Sequence, residues 1–199
     1  MSNTVVIVDT EFTSWEGALE NNWGEDWQHR EIIQISAMKI DKNTLEVKDT
    51  FDRLVLPEIN PLLSDFIVDF TGITNEKVQL EGIPFEEAFE KFTNFVDNDM
   101  VWCYGWDGEV FEENIHLIGR CEWHETLKFQ TLHPYFKAQG VDTSKINSGK
   151  LANYFGVDIE IHEHNAMDDV TSIVAALYHL KEKGQSMPFD QDEYLKKAG

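Results

Sequence analysis

The sequence predicts an α/β fold built on a mixed sheet. Three β-rich segments lead the chain, and after them short apolar runs alternate with stretches of helical periodicity. A third observation bounds the size: 199 residues with 42% hydrophobic side chains, among them thirteen Phe and six Trp, are enough for one substantial core. No low-complexity linker or internal repeat divides the chain. One domain is therefore expected over residues 1–184, with a polar, loosely attached tail over 185–199.

The first strand is expected in "VVIVDTEF" (5–12), where four apolar β-formers run into Asp9-Thr10-Glu11. The following stretch, 13–30, is polar and acidic and carries Trp15, Trp23 and Trp27; it reads as a long loop over the face that bears Asp9. Segments 31–40 and 44–57 are β-rich and separated by the turn-like Asp41-Lys42-Asn43, which predicts an antiparallel pair ended by Pro57 and Pro61. "PLLSDFIVDF" reads as a helix that starts near Ser64 and Asp65, and Gly72 permits the tight turn of "TGIT" behind it. Phe85, Phe89, Phe92 and Val96 recur at helical spacing and predict an amphipathic helix within 84–98. "MVWCYGW" (100–106) reads as a short buried strand, with Asp107 capping the helix of 107–121. A short helix within 148–157, a connector over 158–164 and a long helix closing at Gly184 complete the expected order.

A formal net charge of −21 makes long-range attraction to a polyanion poor. Any nucleic-acid partner is therefore expected to be gripped by a short end rather than along a duplex, with metal ions offsetting the acids. Cys103 and Cys121 lack CxxC spacing and are expected to be buried, reduced thiols. No apolar stretch reaches membrane-spanning length and no basic leader precedes a cleavage site, so the expectation is a soluble, cytoplasmic protein without a membrane partner.

Side chains two apart share one face of a strand, so Asp9 and Glu11 project together. Either both are solvated at the strand's end, or a hard divalent cation sits between them. Asp107 has two compatible readings, as a helix cap and as a ligand at the C-terminal edge of the sheet, where α/β folds bind. On the last helix the apolar face runs through Ala166, Val170, Ile173, Val174, Leu177 and Leu180. Asp169 lies roughly 70° from the centre of that face and Asp168 roughly 170°, so Asp169 borders the protein and Asp168 points to water. A boundary acid needs a positive partner, which a metal shared with Asp9 and Glu11 or a basic side chain would supply. His164 can face the same site only if it precedes the helix's first turn; imidazole suits a base that works near neutral pH, and His162 is its competitor for that role.

Together these residues resemble the DEDDh 3′–5′ exonuclease family. The pattern is D-x-E in the first strand (Asp9, Glu11), Asp107 in "YGWDGEVF", and His164 with Asp169 in "HNAMDD". "EIIQISAMKI" and "LVLPEINPLLSDFIVDFTGIT" are similar to the family's second strand and to its segment ending in Leu-Thr-Gly-Ile-Thr, with Phe70 in place of the usual Leu. The details look most like the branch of ERI-1-type and 3′ histone mRNA exonucleases. The resemblance covers roughly residues 4–181 and implies an RNase H-like fold and removal of nucleoside 5′-monophosphates from the 3′ end of single-stranded RNA or DNA, with RNA favoured. It also implies two divalent ions, Mg²⁺ or Mn²⁺. Asp9 would bridge them, Glu11 and Asp169 complete the first site, Asp107 hold the second through water, and His164 accept the proton of the attacking water. Phe12, Thr13, Phe70, Thr71, Gly72 and Ile73 are candidates for seating the terminal nucleotide. Trp106 is a candidate core residue, Lys145 and Lys150 are candidates for upstream phosphates, and a protein partner is left open. The rivals are a DNA exonuclease of the proofreading-subunit type and a non-catalytic binding module on the same fold. A structural calcium protein would want a calcium loop, which the sequence lacks.

Overall fold

The computed structural model describes residues 2–161 and 164–190. Its six-stranded mixed sheet has the order β4-β3-β2-β1-β5-β6. β1 (Thr4–Phe12) pairs antiparallel with β2 (Ile32–Asp41), which pairs antiparallel with β3 (Val47–Leu56). On its other side β1 runs parallel to β5 (Val101–Cys103), and β5 to β6 (Phe129–Thr131). β4 (Ile83–Pro84) adds a two-residue parallel edge to β3. The expected mixed sheet is therefore present, and the strand that ends in Asp9 and Glu11 lies inside it.

The pleat of β1 sorts the two cores. Val5 and Ile7 pack with Trp102, Val170, Ile173 and Leu177 on one face, whereas Val6 and Val8 pack with Ile35, Phe92, Val110 and Phe111 on the other. The first face is covered by α7 (Ala166–Glu182) with α5 (His133–Ala138) and α6 (Leu151–Tyr154). The second is covered by α3 (Phe85–Val96) and α4 (Asp107–Leu117). On α3, Phe85, Phe89, Phe92 and Val96 are buried as their spacing predicts, each Phe contributing roughly 2–3 kcal/mol. α1 (Asp65–Thr71) starts at Ser64, whose side chain accepts from Ile67 N, and ends at Gly72 in the left-handed region at φ 71°. α2 (Asn75–Glu81), β6 and α5 have no counterpart in the sequence reading. α2 buries only Val78 and β6 has three residues, too little for either periodicity to register.

Three further expectations change. Asp107 is the first residue of α4 rather than its cap, because its carboxylate is engaged by Thr10 across the sheet. Cys103 is buried, but Cys121 is exposed beyond the end of α4. In the segment read as a polar tail, Met187 and Phe189 are buried, and the Phe189 ring meets Trp102 edge-on at 5.4 Å. Two apolar side chains in six residues anchor that stretch against the α7 face; residues 191–199 lie outside the described part. Among the described residues no helix is long and apolar enough to cross a membrane.

Candidate active site

The alternation of β1 continues into its last turn. Asp9 and Glu11 share the face of Val5 and Ile7, towards α7, and Thr10 shares the face of Val6 and Val8, towards α4. α7 then brings Asp169 to the acids from the first side: one carboxylate oxygen each from Asp9, Glu11 and Asp169 lies within 4.8 Å of the others. All three side chains are buried. α4 supplies Asp107 from the second side, where its Oδ1 accepts from Thr10 N at 2.9 Å and from Thr10 Oγ1 at 2.8 Å. One residue, Thr10, thus fixes the orientation of the fourth acid between the first two.

The helical wheel is matched by Asp169 and only in part by Asp168, which is half-buried rather than turned to water. Asp169 is buried towards the sheet and accepts from Ser148 Oγ at 2.7 Å. α7 is docked at its first turn by two devices. The Asn165 side chain accepts from Met167 N and Asp168 N, and Gln34, opposite Glu11 on β2, accepts from Ala166 N while its Nε2 donates to Asp52. His164 precedes this cap in the left-handed region at φ 66°, as it must if it is to face the site. Its ring stacks on Phe70, centroids 3.7 Å apart, and Phe70 stacks in turn on Phe66. His162 lies outside the described residues.

Asp9, Glu11, Asp107, Asp169 and His164 all line one open cleft of about 570 Å³. Phe12, Leu19, Trp106 and Lys145 line it too; Trp106 is 53% exposed, so it belongs to the cleft and not to the core. The cleft also takes in the loop at 143–148, and Leu19 brings the 13–30 loop to its rim. The other proposed nucleotide seats divide. Phe70 is exposed beside His164, whereas Thr13, Thr71 and Ile73 are buried. Thr13 Oγ1 donates to His29 O and accepts from Glu31 N. Thr71 Oγ1 donates to Ile67 O and accepts from Ile73 N, and Ile73 packs with Ile33 and Leu63. Thr10, Gln34 and Ser148 escaped the sequence reading: an isolated Thr, Gln or Ser gives no signal until the fold aims it at an acid.

Burial pushes the Asp9 carboxyl well above its ordinary range, and the charges of Asp107, Asp169 and Glu11 push it further, against a partial relief from Ser148. Glu11 is raised by burial and then by Asp169 and Asp107. Asp107 is raised by burial, against the bonds from Thr10. Among the described residues no Lys or Arg forms an ion pair with Asp9, Glu11 or Asp107. Glu31 shows how this fold otherwise satisfies a buried acid: its carboxylate accepts from the backbone N–H groups of Glu58, Ile59 and Asn60 at 2.6–2.8 Å. Converging, mutually repelling carboxylate oxygens beside an open cleft are a donor set for hard divalent cations.

The family model described as Exonuclease, RNase_T, matches residues 6–177. Mouse "3′-5′ exoribonuclease 1" is 38% identical over 197 residues, covering 90% of this chain and 53% of that protein. Mouse "ERI1 exoribonuclease 2" is 25% identical over 190 residues, 83% of this chain and 26% of the relative. The chain thus spans from a quarter to a half of the length of these relatives. Among solved structures, the nuclease domain of 3′hExo, described as a DEDDh family member bound to rAMP, superposes with a TM-score of 0.77 at 25% identity over 93% of this chain and 94% of that one. With the sheet order, the four converging acids and a match across nearly the whole described fold, the chain belongs to the DEDDh-containing exonuclease family, on an RNase H-like fold.

Proposed function

We propose that this domain is a metal-dependent 3′–5′ exonuclease that shortens single-stranded RNA from its 3′ end and releases nucleoside 5′-monophosphates. The observation that carries the reading is the convergence of Asp9, Glu11, Asp107, Asp169 and His164 on one open cleft. RNA is favoured over DNA because the relatives named above are exoribonucleases and the superposed nuclease domain holds rAMP.

Asp9, Glu11 and Asp169 would hold one divalent ion, and Asp9 with Asp107 would take part in holding a second, Mg²⁺ or Mn²⁺ in both cases. When bound, such ions neutralise the acids, bind the scissile phosphate and stabilise the charge that develops on attacking and leaving oxygens. The protein's own part is positional. Thr10 and Ser148 fix the rotamers of Asp107 and Asp169, so the carboxylates are set before substrate arrives. His164, which lines the cleft and stacks on Phe70, would accept the proton of the attacking water, a task suited to imidazole near neutral pH. Phe70, Phe12 and Trp106 offer apolar faces on which a terminal base of any identity can stack. Lys145 lines the cleft and is the candidate for an upstream phosphate. Two free cysteines suit a reducing compartment, and we place the protein in the cytoplasm.

The test uses 5′-labelled single-stranded RNA and DNA of one sequence, incubated with Mg²⁺, Mn²⁺ or EDTA, with Asp9→Asn as control. A metal-dependent ladder that shortens one nucleotide at a time from the 3′ end of RNA, absent in the control, is expected. Degradation of DNA alone would reverse the sugar assignment. Intact strands under every metal would leave a binding module on an exonuclease fold.

A further inference from the structure

A second cluster of metal-ligating side chains lies away from the cleft, beyond the C-terminal end of α4. His116, Cys121 and His124 each present a ring nitrogen or sulfur within 4.8 Å of the other two. The backbone builds this proximity. Just past the end of α4, Gly119, with a φ of 72°, turns the chain back; Gly119 N donates to His116 O and Arg120 N to Ile115 O, both at 3.0 Å. The returning chain forms a 3-10 turn at Cys121–Trp123, fixed by the Trp123 ring stacked on Phe89 at 4.8 Å. Cys121 and His124 thus come to lie beside the last turn of α4, with the His116 and His124 rings 4.4 Å apart.

The donors are prepared as ligands in two respects. His116 Nδ1 lies 3.1 Å from Glu112 O; donation to that carbonyl selects the tautomer in which Nε2 carries the free lone pair. His124 Nε2 is buried and meets no hydrogen-bond partner among the described residues, which is a cost unless something satisfies it. The nearest cation in sequence, Arg120, is committed to Glu86 and to the Trp123 face. Ligands of one tetrahedral ion at bonds of about 2.0–2.3 Å stand roughly 3.3–3.8 Å apart, so modest side-chain rotation closes the three donors onto a single ion.

We infer that His116, Cys121 and His124 form a binding site for a borderline transition-metal cation of the Zn²⁺ class, separate in chemistry and place from the carboxylate site. One thiolate and two imidazoles are poor ligands for Mg²⁺ and good ones for Zn²⁺, and three protein donors leave a fourth position to water or an external ligand. Binding converts the Cys121 thiol to a thiolate and releases its proton to solvent. The ion clamps the end of α4 to the turn that follows it.

The test uses the whole chain in excess Mg²⁺, which occupies the carboxylates, and Co²⁺ as the probe. The expected result is a thiolate-to-cobalt charge-transfer band that saturates at one ion per chain and is displaced by Zn²⁺. Cys121→Ser should abolish the band, since Cys103 is buried. His116→Ala and His124→Ala should each weaken Co²⁺ binding by roughly tenfold or more. Zn²⁺ should raise the thermal midpoint of the native protein and not that of Cys121→Ser. Absence of the band at millimolar Co²⁺ would overturn the site, as would a band that persists in Cys121→Ser or is unchanged in the His116→Ala, His124→Ala double variant.

Discussion

Replacing Asp9 by Asn removes one charge from the carboxylate cluster while keeping the size and shape of the side chain. In the protein without metal, Asp9, Glu11 and Asp169 present oxygens within 4.8 Å of one another, and two unit charges at that distance repel by roughly 3 kcal/mol at an effective dielectric of about 20. Carboxyls relieve part of this by taking up protons, so the net stabilisation from Asp9→Asn should be about 1–3 kcal/mol near neutral pH, a rise of roughly 2–10 °C in the thermal midpoint for a chain of this size. The sign follows from the direction of the shift. Asp9 has a folded pKa raised above its ordinary 3.8 by burial and by the neighbouring acids. Its contribution to stability is therefore complete below the ordinary value and is lost as pH rises through the raised one. In EDTA the wild-type protein should lose stability over that window more steeply than Asp9→Asn. Mg²⁺ should reverse the order by stabilising the wild type and leaving Asp9→Asn nearly unmoved. The assay is thermal unfolding followed by circular dichroism, with EDTA or Mg²⁺, across a pH series. An Asp9→Asn midpoint below the wild type in EDTA, or an equal Mg²⁺ response in both, would refute the view that mutual repulsion awaiting a cation governs this cluster.

Three further outcomes are expected. Asp169→Ala should reduce exonuclease turnover by at least about a thousandfold with the circular dichroism spectrum unchanged, whereas Asp168→Ala should stay within about twofold; equal losses would contradict the helical-face assignment of the two acids. Thr10→Val removes the hydroxyl bond to Asp107 Oδ1 while keeping the bond from the backbone N–H and the strand, and should lower kcat roughly three- to tenfold with KM little changed, a split that steady-state kinetics resolves. Phe70→Ala removes the stack beneath His164 and an exposed base platform, and should raise KM for a short oligonucleotide by roughly tenfold while leaving the midpoint within about 2 °C, because the ring is 44% exposed.

Sequence periodicity determined the main scaffold on its own. The apolar run of 5–12, the paired β segments and the Phe spacing of α3 each carry a local signal, because a strand or helix that buries one face must repeat its apolar side chains at that element's period. The same rule placed Asp9 and Glu11 on one face and separated Asp169 from Asp168. Elements with too few buried positions to set a period, α2, β6 and α5, had no such signal. Nor did Met187 and Phe189, whose polar surroundings concealed two anchors. Tertiary structure alone decided which uncharged side chains serve the acids, because Thr10, Gln34 and Ser148 acquire their roles from partners 97, 132 and 21 residues away. It alone divided the proposed nucleotide seats, exposing Phe70 and burying Thr71 and Ile73, since which side of the end of α1 stays open depends on how that helix docks. The assembly of His116, Cys121 and His124 was also invisible in the chain, because it rests on a left-handed glycine turning a helix end back on itself. Local periodicity decides what a segment becomes; long-range packing decides which of its side chains meet, and chemistry begins at those meetings.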